Sequence, residues 1–166
     1  MRKRTALESS KYRSQEPAAL GLPHGRIGSE LREAFGEIGR VKLLPQGTEV
    51  FSQGRTPAGV FLLRAGRVKV FAAGKGRQVL LQTAKPGEIL GLSAAISGRP
   101  YEFTAQTAAP SSVVFVGCKD FARFMRRHPG ASLQIAQVLS RKVTAAYRGV
   151  RRRRQSTGGE DTRAGK

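Results

Sequence analysis

Histidine and cysteine are almost missing from this chain of 166 residues, which holds two of the first and one of the second. Cys118 alone cannot close an intrachain disulfide or hold a cysteine-ligated iron–sulfur cluster, and a reducing cytoplasm is the compartment that fits. His24 lies in a polar lead-in and His128 directly precedes Pro129 at a helix end. No metal-ligand set for zinc or iron is therefore expected, and no Ser/His/Asp or Cys/His arrangement, so the residues do not point to an enzyme. Long apolar runs are lacking as well. Nothing approaches the roughly 18 residues of a membrane span, and the basic start is followed by no apolar signal region, so the expectation is an unexported protein without a membrane partner. Acidic residues are scarce: 11 against 30 lysines and arginines, a formal charge of +19.

That charge is unevenly spread. Residues 1–28 carry six basic and two acidic side chains, residues 151–166 carry the same, and residues 118–150 hold seven basic ones against Asp120 alone. Such a balance favours nucleic acid or anionic surfaces. Without an element to read base edges, association through Arg151, Arg152, Arg153 and Arg154 would be weak and indifferent to sequence.

Residues 1–28 show no sustained period and read as a disordered basic segment. "SELREAFGEIG" then places Leu31, Phe35 and Ile38 on one helical face, with Ser29 as the cap and Gly39 as the stop. From Val41 to Gly117 the pattern changes to short apolar runs broken by glycine, as in "AGVFLLRAG" and "RVKVFAAGKG", the mark of short antiparallel strands. "GKGR" at 74–77 lacks the spacing of a phosphate loop and reads as a hairpin turn. "YEFTAQTAAPSSVVFVGC" adds two strands joined near Pro110. In "CKDFARFMRRHPG", Asp120 stands as a cap and Phe121, Phe124 and Met125 share a face. A longer helix covers residues 131–150, where Ala136, Leu139, Val143, Ala146 and Val150 recur at heptad spacing. Such a helix either lies back on its own barrel or forms a seam between two subunits. Residues 151–166 read as a disordered basic tail. The fold class is mainly β with helices: an antiparallel β-roll (double-stranded β-helix, jelly-roll-like) flanked by a short N-terminal helix and a long C-terminal one, in one domain spanning 29–150.

"PGEILGLSAAISGRPYEF" at 86–103 keeps one acid, Glu88, and one base, Arg99, among small and apolar residues. Buried charge is costly unless it is paired or meets a charged ligand. Gly87 lets backbone approach closely, an arginine fork suits a phosphate, and a carboxylate accepts from a sugar hydroxyl. Those residues describe a pocket for a nucleotide-like ligand.

With "LLPQGTEVFSQG", "GVFLLRAGRVKVF", "PGEILG", "RPYEFTAQT" and "DFARFMRRHP" before a long helix, residues 30–150 resemble the cyclic-nucleotide-binding domain of Crp/Fnr transcription regulators. The resemblance implies a phosphate-binding cassette at Gly87, Glu88 and Arg99, followed by Pro100 and Tyr101. It also implies an effector that is a cyclic nucleotide or another small anionic ligand, and a homodimer through the long helix. The chain departs from the family in three places. Pro100 and Tyr101 replace a small hydroxyl residue and alanine, and proline offers neither N–H nor hydroxyl. Ala145 and Ala146 fall where a purine would be met. Beyond Val150 only 16 residues remain, too few for the family's winged helix-turn-helix. The expectation is a cytoplasmic, non-enzymatic ligand-sensing domain without its own DNA-binding domain. Its rivals are a ligand-free dimerisation module, with Arg99 paired to Glu88 or Glu102, and nucleic-acid association through the basic tails.

Overall fold

The computed structural model describes residues 27–74 and 76–141. Val143, Ala145, Ala146, Val150 and Arg151–Arg154 lie outside the described residues, as do the expected basic lead-in up to residue 26 and the expected tail at 151–166. The described chain runs α1 (Ser29–Ile38), β1 (Arg40–Leu44), β2 (Glu49–Phe51), β3 (Gly59–Ala65), β4 (Val68–Gly74), β5 (Arg77–Ala84), β6 (Ile89–Leu90), α2 (Leu92–Ser97), β7 (Thr104–Thr107), β8 (Ser111–Gly117) and α3 (Cys118–Arg127). A further helix, α4, occupies residues 129–141 up to the limit of the described chain. The strands form two antiparallel sheets, ordered β1-β8-β3-β6 and β2-β7-β4-β5. This is the expected mainly-β roll with flanking helices.

β3 explains the layering. Its apolar run does not alternate with polar residues because both of its faces are covered. Val60 and Leu62 point to a core shared with β8 (Val114, Val116), α1, α3 and α4. Phe61 and Leu63 point into the roll, toward Val68, Val70, Ala84, Ala105 and Val113. The helix-side core is centred on Phe35, which is 0% exposed and meets the edges of Phe121 and Phe124 at centroid distances of 6.0 and 5.7 Å. Full burial of such a ring stabilises by roughly 1.5–3 kcal/mol, with about 0.5–1.5 more per aromatic pair. Leu31 and Phe35 follow the expected face of α1, but Ile38 ends it half in solvent at 38% exposure.

Two caps differ from the expectation. Gly28, not Ser29, is the N-cap of α1, and no side chain closes it. The reason is that Ile27 is buried in the helix-side core and its N–H donates to the Gly87 carbonyl at 3.2 Å, which fixes where the chain enters the helix. Gly117 likewise caps α3, because β8 runs straight into the helix and the Cys118 N–H donates to the Ala58 carbonyl. Asp120 sits in the first turn, 3.7 Å from Arg123, in an exposed pair of little energetic weight. The "GKGR" stretch is a hairpin: Gly74 pairs with Arg77, and Gly76 has φ of 72°. Gly39 must be glycine because a Cβ there would meet Val114 Cγ1 and, at 2.8 Å, the Phe35 carbonyl.

Candidate functional site

At the open end of the roll interior lies a cavity of about 280 Å³. Val70, Leu81 and Gln82 of β4 and β5 form its floor, Leu90 to Ala94 one side, and Tyr101 to Phe103 the other, while Leu139 of α4 closes it. Local sequence accounts for this shape. Gly91 holds φ at 75° between β6 and α2, a conformation that favours glycine, and so turns the chain sharply into a helix of small residues. A Cβ on Gly91 would sit 3.1 Å from the Tyr101 ring.

Tyr101 is the fixed point of the wall. Its ring stacks on Phe51 at 4.3 Å. Its hydroxyl donates to the Gly59 carbonyl at 2.9 Å and accepts from the N–H groups of Ala58 (3.1 Å) and Gly59 (3.3 Å). Burial raises the phenol's pKa above its ordinary value, outweighing the two N–H donors that favour the charged form. Ser93 Oγ donates to Glu102 Oε2 at 3.4 Å across the mouth.

Of the five expected cassette residues, the structure brings only Tyr101 to this cavity. Gly87 lies ahead of β6, with φ of 90°, its N–H donating to the Leu63 carbonyl at 2.8 Å, and it borders a separate cleft beside Arg32, Arg64 and Glu33. Glu88 is 2% exposed, and its carbonyl accepts from the Leu63 N–H. Arg99 and Pro100 are exposed, and the Arg99 N–H donates to Ser97 Oγ. On α4, Ile135 and Val138 are buried in the helix-side core, Leu139 packs beside them, and Ala136 is exposed. The described part of the long helix thus does lie on its own roll. Sequence reasoning missed Gln82, Leu81, Leu92 and Ala94. The signal for the last two was Gly91, the second glycine of "PGEILG", which opens the small-residue helix.

Residues 41–128 match the cyclic nucleotide-binding domain. The chain belongs to that family. Among curated relatives, the cyclic AMP receptor protein of Thermus thermophilus is 26% identical over 126 residues, covering 75% of this chain and 58% of that protein. The HTH-type transcriptional regulator Cmr of Mycobacterium tuberculosis is 22% identical over 113 residues, covering 68% and 46%. The crystal structure of Thermus thermophilus catabolite activator protein superposes with a TM-score of 0.69 at 22% identity, over 75% of this chain and 59% of that one. This cyclic nucleotide-binding domain therefore spans about half the length of these relatives.

Proposed function

We propose that the chain is the ligand-sensing effector domain of a Crp/Fnr-type transcription regulator, cytoplasmic and non-enzymatic. A small molecule in the roll cavity is its signal. One observation carries this reading: the cavity wall is built jointly from the roll and from Leu139 of α4. A ligand seated there touches both bodies, so it biases their relative packing to the extent of its differential affinity for the two arrangements. The output passes along α4 and its continuation to residue 150, which pairs with a second copy in a homodimer.

Calorimetric titration of the full chain with cyclic AMP, cyclic GMP and the neutral aromatic N-phenyl-1-naphthylamine tests the reading. Saturable binding of at least one of them, lost when Leu81→Trp fills the cavity, is the expected result. Binding of none by the folded chain would overturn it in favour of a ligand-free interaction module.

A further inference from the structure

We propose that the cavity takes an uncharged, mainly apolar molecule that presents one hydrogen-bonding group to Gln82, and is not built for a phosphate ester. The proposal rests on the reading of this cavity as the effector site. The wall is dominated by Phe51, Leu81, Leu90, Leu92, Phe103 and Leu139. Among the described residues no lysine or arginine lines it, and the one carboxylate that does, Glu102, stands exposed at the mouth. An anion entering this space would lose its hydration, gain no cation, and pass a like charge. At the expected place Pro100 has no N–H to give, and the Tyr101 hydroxyl is already engaged with Ala58 and Gly59.

Gln82 is the positive half of the inference. It lies two residues before Ala84 on β5, hence on the same, inward face, and Ala84 is fully buried in the roll core. Gln82 is 8% exposed and lines the cavity, and no hydrogen bond joins its carboxamide to another described residue. Its carboxamide atoms stay open to solvent on the cavity side, and a ligand that takes the place of that solvent keeps its affinity by supplying a hydrogen bond in return. At about 280 Å³ the space is just below the ~300–1,000 Å³ usual for small-molecule pockets, which fits a compact aromatic.

The probes are N-phenyl-1-naphthylamine, which carries one N–H, and 1-phenylnaphthalene, which carries none. The wild-type chain should bind the amine saturably, read as a fluorescence rise, with cyclic AMP and cyclic GMP failing to displace it. It should prefer the amine to the hydrocarbon by about two- to tenfold, the range of one net hydrogen bond. Gln82→Leu should level that preference while still binding both. Leu81→Trp should abolish binding with an unchanged circular dichroism spectrum; if that variant does not fold, the Gln82→Leu comparison decides. Displacement of the amine by a cyclic nucleotide, lost in Arg99→Ala, would overturn the proposal and leave the effector-site reading standing. An amine preference unchanged by Gln82→Leu would also overturn it. Failure of the amine and both nucleotides to bind the folded chain would overturn both.

Discussion

Replacing Tyr101 by phenylalanine keeps the ring on Phe51 and removes one oxygen to which three backbone groups turn. Tyr101 is 4% exposed, so water does not readily replace the lost partner. Leaving buried donors and an acceptor unsatisfied costs about 1–3 kcal/mol, and the part-exposed Ala58 N–H argues for the middle of that range, about 2. For a domain of this size the thermal midpoint should fall by roughly 5–10 °C. Urea unfolding followed by circular dichroism should show a lower midpoint with unchanged slope, because the surface exposed on unfolding is the same. The pH profile gives a second reading. The buried phenol titrates above its ordinary value, so in alkali the unfolded chain loses this proton first. The contribution of Tyr101 should be level below about pH 10 and fall as pH rises from there through its folded-state pKa, and Tyr101→Phe should remove that component. The Cys118 thiol, also raised by burial, contributes a decline of the same sign beginning near 9.0, and it persists in the variant. A loss under about 0.5 kcal/mol with an unchanged alkaline slope would refute the idea that this hydroxyl fastens the cavity wall to β3.

Three further outcomes are expected. Gly39→Ala should destabilise by about 1–3 kcal/mol in denaturant titration, since the new methyl group collides with Val114 and the Phe35 carbonyl. Leu133, 63% exposed, lies on the outer side of α4 with the exposed Ala136. Leu133→Glu should therefore yield monomers by light scattering with little change in stability, whereas Leu139→Glu should lose stability because Leu139 packs on the core. Duplex DNA of random sequence should bind weakly with a log–log salt slope near −4, and replacing Arg151–Arg154 by alanine should remove that slope.

Glycine punctuation and apolar spacing made the roll readable from the residues, because strand boundaries and helix faces are set locally. The apolar run "GVFLL" is readable as a strand, although the covering of both its faces shows only in the structure, and Phe121 and Phe124 face inward as their spacing requires. The cavity was less readable. Its membership depends on which side of a two-residue strand, β6, a residue falls: Glu88 stands before it and Leu92 after it. Charge drew attention to Glu88 and Arg99, whereas most of the wall is made by residues whose only sequence signature is to be small or apolar. Ala136 and Leu139 share a heptad spacing, yet one faces solvent and the other the roll, since Ile135 and Val138 set how the helix is turned.

The double-faced strand β3 also governs how the chain reaches this structure. Its partner β8 joins it by pairs such as Gly59–Gly117 and Leu63–Val113, far apart along the chain. Closing so long a loop is entropically unfavourable before any pair forms, and it returns contacts to both cores at once. Neither core can then assemble in full: a nascent chain that has emerged only as far as β7 has α1 for the outer face of β3 but lacks β8, α3 and α4, and refolding should follow a single slow phase in which helices and roll appear together.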